Sequence, residues 1–260
     1  MRLFLTFVFC LVAATLSAHD TWVQPNNPVI RTGDAVYIDL MLGNHGNGHR
    51  DFKLASKIDL TKSTLTLLDP TAQSIDLKPL VSDMGNGPRD GYWQARFVTK
   101  TPGLHRVVHT VDTLHLTTHA LKSAKTFLYV ADKLDAPVPP QAKLDSPIGH
   151  PLEFVVESDV LTDVGPGRPI NVQLLLHGKP LADTVVSFIP RGGQLTEGFD
   201  PKQERKTDAA GRVSYTPDAG GYLLIVAHHR DPEAKGEGFD QTSYTATVTV
   251  IVPEKSARGK

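Results

Sequence analysis

Histidine is the residue type in this sequence that is best suited to bind a metal ion. The chain contains 11 His, and imidazole nitrogen is a common ligand of Ni(II), Co(II), Cu(II) and Zn(II). The only cysteine, Cys10, lies in an N-terminal apolar segment. Any metal site should therefore use histidine, carboxylate and backbone donors, and the spacing of the histidines indicates where it could form.

Two histidines, His19 and His228, are the leading ligand candidates. His19 follows the expected cleavage point of an export signal, and a terminal histidine can bind one ion through both its α-amine and its imidazole. Because a chain terminus is often frayed, a second ligand should come from a rigid strand. Strand alternation places His228 on the face of Leu224 and Val226, and His229 on the opposite face.

His45 and His49 form a second candidate group in the segment Gly43-Asn44-His45-Gly46-Asn47-Gly48-His49-Arg50-Asp51. On a helix, their spacing would direct both imidazoles to one ion, but the glycines disfavour a helix. We therefore expect a flexible loop that could wrap an ion. An exposed turn that uses its glycines for positive φ angles is the alternative.

His109 is a reserve ligand. On a strand it would share a face with His105, yet the two would lie about 13 Å apart at ~3.3 Å per residue, too far to hold one ion. A turn at Asp112-Thr113 would bring His109 near His115 across a hairpin. Without that turn, we interpret these histidines as residues that pack across neighbouring strands or lie on the surface.

The N-terminus predicts an export signal over residues 1–18. Met1-Arg2 precedes an apolar run from Leu3 to Leu16, which is shorter than the roughly 20 residues of a membrane-spanning helix. We expect cleavage after Ala18, with cleavage after Ser17 as the alternative. The mature chain should then be periplasmic or secreted and should contain no transmembrane segment.

Charge and motifs exclude several functional classes. Lys plus Arg number 27 and Asp plus Glu 28, a net charge of −1, so no general positive field would attract nucleic acid or an anionic membrane. Gly-x-Ser-x-Gly, His-Glu-x-x-His and a cysteine nucleophile in the mature chain are all absent from the sequence. We therefore expect a binding protein rather than an enzyme.

Short β-branched or alternating runs, separated by clusters of Gly, Pro, Asn and Asp, predict an all-β fold. We expect two β-sandwich domains of immunoglobulin-like or transthyretin-like type, at residues 19–133 and 151–253. A Pro-rich linker at 134–150 and a polar tail at 254–260 complete the chain. The predicted strands are Tyr37 to Leu42, Thr64 to Leu68, Tyr92 to Val98, Leu104 to Val111, Lys125 to Val130, Leu152 to Glu157, Ile170 to Leu176, Thr184 to Ile189, Arg212 to Tyr215, Tyr222 to His228 and Tyr244 to Val252.

Three motifs give the mature chain a family resemblance. They are His19-Asp20-Thr21-Trp22-Val23-Gln24-Pro25, Lys122-Ser123-Ala124-Lys125-Thr126-Phe127, and Gly221-Tyr222 leading into Val226-Ala227-His228. Together they resemble the bacterial domain of unknown function 4198 family. The turns of residues 150 to 252 also resemble carboxypeptidase-regulatory, transthyretin-like modules. The resemblance implies exported β-sandwich proteins, some of which accompany nickel or cobalt uptake systems, and it assigns importance to His19 and His228.

We therefore expect an exported protein that captures nickel or cobalt, or else copper or zinc, and passes the ion to a membrane uptake system. The expected ligands are His19, His228, His45 and His49, with His109 in reserve. A metal-free β-sandwich that binds a protein or a carbohydrate is the main alternative. A copper oxygenase with a terminal-histidine site is a remote one.

Overall fold

The computed structural model describes residues 19–46, 49–133, 137–140 and 145–254, without the side chains of residues 45, 46 and 49. The expected signal peptide lies outside the described residues, as do parts of the expected linker and nearly all of the tail. In the first half of the described chain, two 3-10 turns, Leu60–Lys62 and Lys78–Leu80, accompany the strands. These strands are β1 (Asp20–Pro25), β2 (Val29–Arg31), β3 (Ala35–Gly46), β4 (His49–Ser56), β5 (Ser63–Leu68), β6 (Ser74–Asp76), β7 (Val81–Asp83), β8 (Trp93–Val98), β9 (Gly103–His115) and β10 (Thr118–Ala131).

The second half of the described chain is also built from strands joined by turns. Its strands are β11 (Leu152–Val156), β12 (Ile170–Leu176), β13 (Lys179–Pro180), β14 (Val185–Pro190), β15 (Glu204–Lys206), β16 (Arg212–Tyr215), β17 (Gly221–Asp231) and β18 (Gln241–Val252). The all-β prediction is therefore confirmed. In the described residues, no helix is long and apolar enough to cross a membrane.

Three sheets are present in the described chain. One has the order β1-β3-β8-β7, with β4 also paired to β3, and another has the order β11-β12-β13, with β16 paired to β12. The largest sheet runs β15-β14-β17-β18-β10-β9-β5-β6, with β2 paired to β10. The parallel pairing of β10 with β18 makes this sheet continuous between the two halves of the chain.

Strand alternation along β10 explains how one strand serves two cores. Ala124 and Leu128 point into the core of the first half, whereas Phe127 points into the core of the second half. This follows from the period-2 geometry of a strand, in which successive side chains face opposite sides of the sheet. A third, smaller cluster packs β1 and β3 against β14 and β17; it contains Trp22, Met41, Ile189, Leu195, Leu224 and Val226.

The predicted strands all lie in observed strands, with shifted ends. One expectation about the loops was wrong. The segment around His45 and His49 is a strand hairpin, with β3 continuing to Gly46 and β4 beginning at His49, because β3 pairs with β4 through His45↔Arg50 and Gly46↔His49. A turn at Asp112-Thr113, which would have brought His109 near His115, does not occur.

The β9–β10 hairpin turns later, at Leu116-Thr117, since β9 pairs with β10 as far as His115↔Thr118. His109 consequently lies opposite Ala124 and not opposite His115. Leu116 adopts a φ of 53°, a left-handed conformation that is uncommon for a non-glycine residue. A turn at this leucine carries no composition signal, so the sequence alone does not place the end of the hairpin here.

Candidate metal site

The start of β1 meets the end of β17 through a hydrogen bond between two side chains. Nε2–H of His228 donates to Oδ1 of Asp20 at 2.7 Å, although the two residues are 208 positions apart. Asp20 is fully buried, whereas the side chain of His228 is 41% exposed. The pair therefore has a buried carboxylate behind an imidazole that reaches the surface.

This hydrogen bond determines which nitrogen of His228 could bind a metal. A carboxylate accepts, so Nε2 carries the proton and Nδ1 is the nitrogen available to an ion. A carboxylate that holds the other ring nitrogen also fixes the tautomer and orientation of a metal-binding histidine. The Asp20–His228 pair has this arrangement, with Asp20 in the supporting position.

The protonation of His228 is governed by its surroundings. Burial lowers the pKa of His228, but the charge of Asp20 and its hydrogen bond raise it by more, so the pKa lies above the ordinary value of 6.5. Lys122 and Arg50 oppose part of this increase. Because the folded pKa is raised, this interaction stabilises the fold fully below pH 6.5, and its contribution is lost as the pH rises through the folded pKa.

Asp20→Asn should move the pKa of His228 from above its ordinary value to below it. The variant keeps an oxygen that accepts the Nε2–H bond but loses the negative charge, which leaves burial, Lys122 and Arg50 to lower the pKa of His228. An NMR titration of the His228 ring measures this directly. Asp34→Asn, which removes an exposed carboxylate paired with Arg31, is the control. An unchanged His228 midpoint in Asp20→Asn would contradict the assignment.

Lys122 connects His19 to this pair. Its Nζ donates to the backbone carbonyl of His19, and burial lowers the pKa of Lys122 while the charge of Asp20 opposes that effect. His19 is exposed and directly precedes β1. His19 is therefore adjacent in the chain to Asp20, the residue that holds His228, and its role as a second ligand stays a prediction.

A groove of about 750 Å³ opens beside His228. Arg50 of β4 forms one wall, where its guanidinium donates to Glu204 and to the carbonyl of Gly198. The backbone N–H of Leu195 donates to the carbonyl of Arg50 at 2.9 Å, which fastens β4 to the second half. The full lining is Arg50, Asp183, Thr184, Val185, Ser187, Leu195, Glu197, Gly198, Phe199, Glu204, His228, His229 and Arg230.

The hairpin that contains His45 and His49 extends from this wall. Arg50 pairs with His45 across the hairpin, and His49 pairs with Gly46. The backbone thus brings both histidines to the strand end next to the groove-lining residue Arg50. Their side chains lie outside the described part of the chain, so their ligand role stays a prediction.

His109 has a different environment. It is fully buried, and its Nδ1–H donates to the backbone carbonyl of Thr64 at 2.6 Å. Burial lowers the pKa of His109 to about 4, so the ring is neutral at pH 7. Its Nε2 is buried without a hydrogen-bond partner among the described residues. The structure therefore places His109 in the core of the first half, and its ligand role also stays a prediction.

His109 should make the fold sensitive to acid. Its pKa of about 4 when folded is below the unfolded value near 6.5, so its contribution to stability is present above pH 6.5 and falls as the pH approaches 4. Between pH 7.5 and 4.5, the free energy of unfolding should fall by about 2.5 kcal/mol more than in His109→Asn. Urea unfolding at several pH values tests this. Parallel pH profiles for the two proteins would contradict it.

His19 and His228 were predicted as ligands from the sequence, and that role stays a prediction; Asp20, Lys122 and Arg50 were not singled out. The sequence offers a reason to consider Asp20, because this carboxylate directly follows the candidate ligand His19 and lies two residues before the apolar Trp22. Lys122 and Arg50 give no such signal, because their roles depend on pairing between distant strands. Within the described residues, no group of three or more His, Cys, Asp or Glu side chains is positioned to hold a metal.

Comparisons with known proteins identify the family of this chain. The model of a domain of unknown function, DUF4198, matches residues 16–231, and no curated protein matches. Among solved structures, the chain is similar to a DUF4785 family protein from Legionella pneumophila, with 12% identity, a TM-score of 0.31, and coverage of 79% of this chain and 50% of that one. It thus spans about half the length of that protein.

Two further structural matches are also remote. The D0-D1 domain of Intimin matches with 14% identity, a TM-score of 0.24, and coverage of 88% of this chain and 97% of that one. Trypsin-activated alpha-2-macroglobulin from Escherichia coli matches with 11% identity, a TM-score of 0.27, and coverage of 91% and 16%. These scores are too low to support any argument about function. The family match, in contrast, extends over more than half of the sequence, and the chain belongs to the domain of unknown function 4198 family.

Proposed function

We propose that this protein is exported, captures a transition-metal ion at His19 and His228, and passes the ion to a membrane uptake system. One observation supports this proposal above the others. The buried carboxylate of Asp20 holds Nε2 of His228 at 2.7 Å, and Asp20 directly follows His19 in the sequence. The two predicted ligands are thereby linked through a residue that orients one of them.

The proposed chemistry is ligand exchange. Cleavage after Ala18 would free the α-amine of His19, whose pKa near 8 allows it to lose a proton to a metal at neutral pH. The amine, the His19 imidazole and Nδ1 of His228 would then supply three nitrogen donors. Side chains of His45 and His49 could complete the set from the neighbouring hairpin. Metal entry would release protons, since each nitrogen must be unprotonated to bind.

Nitrogen donors suit Ni(II), Co(II), Cu(II) and Zn(II), and the general stability order favours copper. Nickel or cobalt is proposed on the family resemblance, with metal supply in the periplasm or outside the cell determining which ion is bound. Residues 150 to 252 resemble transthyretin-like modules. We therefore propose that the second half of the chain is the rigid support for His228. The uptake system would carry out transport across the membrane.

Native mass spectrometry of the exported protein tests the proposal. It reports the N-terminal residue and any bound metal in one measurement. We expect a chain that starts at His19 and binds one Ni(II), with affinity reduced at least tenfold in His19→Ala and in His228→Ala. His115→Ala, which removes an exposed histidine at the end of β9, is the matched control and should bind normally.

Two outcomes would contradict the proposal. A chain that binds none of the four ions would favour a metal-free interaction or carbohydrate-binding protein. Unchanged affinity in both His19→Ala and His228→Ala would place the metal elsewhere. Thermal unfolding of each variant separates loss of a ligand from loss of the fold, because a variant that unfolds near the wild-type temperature has kept its sheets.

A further inference from the structure

The groove beside His228 is much larger than a metal ion requires. Its volume is about 750 Å³, whereas one water takes about 30 Å³ of liquid volume. An ion bound to His228 with a few remaining water ligands would leave most of this space unfilled. Grooves of several hundred Å³ are typical of sites for small organic molecules.

The walls of the groove also suit an organic ligand. Val185, Leu195 and Phe199 contribute apolar surface to it, and Phe199 is 50% exposed although it is a large aromatic residue. A hydrated ion gains nothing from such surface, because its ligands are polar. An aromatic or aliphatic group placed on Phe199 would be removed from water together with the phenylalanine ring, which is favourable.

The polar lining of the groove includes one set of hydrogen-bonded side chains, the exposed carboxylates Asp183 and Glu197, and the exposed cation Arg230. Glu204 accepts hydrogen bonds from both Ser187 and Arg50; Ser187 Oγ donates at 2.8 Å. Arg230, in contrast, is exposed. It lies two residues after His228 on β17, so both side chains are on the same face, about 7 Å apart along the strand.

We propose that the groove accepts the metal as a chelate with a small amino acid that has an aromatic or imidazole side chain. This inference rests on the proposed function. Nδ1 of His228 would bind the ion, Arg230 would pair with the chelator's carboxylate, and Phe199 would pack against its side chain. Arg50 donates to the backbone carbonyl of Gly198. This hydrogen bond holds Gly198, the residue before Phe199, in place.

The test compares Ni(II) alone, L-histidine alone, and Ni(II) with one equivalent of L-histidine, using native mass spectrometry and calorimetry of the mature protein. We expect one Ni(II) and one L-histidine to bind together. Phe199→Ala and Arg230→Gln should each weaken binding of the Ni(II)–histidine complex at least fivefold and change the affinity for Ni(II) alone less than twofold. Leu114→Ala, which removes an exposed apolar side chain outside the groove lining, should change neither affinity.

The outcomes distinguish this inference from the proposed function. Binding of Ni(II) with L-histidine left in solution would overturn the inference and leave metal capture intact. Equal losses for Ni(II) alone and for the complex in both variants would overturn it as well. Absence of Ni(II) binding under every condition would overturn both proposals. Binding of L-histidine without metal would replace the chelate with a metal-independent ligand site.

Discussion

Trp22→Ala should lower the free energy of unfolding by about 3–5 kcal/mol, which is the usual cost of replacing a buried large aromatic residue with alanine. Trp22 is 1% exposed and packs against Phe52, with ring centroids 5.1 Å apart. It lies in the cluster that joins β1 and β3 to β14 and β17. The cavity would therefore form where the two halves meet, next to the Asp20–His228 pair.

Urea unfolding measures this loss, with Leu116→Ala as the control because Leu116 is 70% exposed and its removal leaves no cavity. A change below about 1 kcal/mol in Trp22→Ala would contradict the packing described above. If the variant stays folded, its His228 pKa should fall toward the ordinary value, since β1 would no longer hold Asp20 firmly against β17. The second measurement therefore tests whether packing around Trp22 positions Asp20 against His228.

Lys125→Met should lower the free energy of unfolding by a similar amount, about 3–5 kcal/mol. Lys125 Nζ donates to Asp145 at 2.9 Å and lies 3.7 Å from Glu153, and the side chains of both carboxylates are fully buried. The pairing fastens β10 to the segment that leads into β11. Removing the ammonium group leaves two buried negative charges with less compensation, and this costs far more than the loss of a surface ion pair.

Lys206→Met is the matched control for that variant. Its ion pair with Asp183 also has a length of 2.9 Å, but the side chains are 55% and 82% exposed, so the expected loss is at most about 1 kcal/mol. Chemical denaturation of both variants at pH 7 gives the comparison. Equal losses in the two variants would contradict the claim that burial makes the Lys125 network important.

The β-strands could be predicted from the sequence because alternation is a local property. The assignment of His228 and His229 to opposite faces is supported by the packing of β17: Leu224 and Val226 lie in one cluster, and Leu223 and Ile225 in another. The hairpin end of β9 could not be predicted, since pairing with β10 carries the strand past Asp112-Thr113 to a turn at Leu116. Cross-strand pairing outweighed local turn preference there.

The candidate site was only partly predictable for the same reason. His19 and His228 were predicted as ligands from the expected export signal and from a strand end, and their role as ligands stays a prediction. Asp20 could not be assigned as the partner of His228, because nothing local relates residues 208 positions apart. Their contact depends on β1 packing against β17, and the pairing of β10 with β18 that joins the two halves leaves no mark in composition or periodicity.

Anomalous diffraction at the nickel edge, from a crystal of the processed protein grown with Ni(II), locates the bound ion directly. We expect one strong peak about 2.1 Å from Nδ1 of His228, the length typical of a metal–imidazole bond, with the His19 amine on the same ion and Asp20 still bonded to Nε2. A peak at any other histidine, with His228 unoccupied, would contradict it.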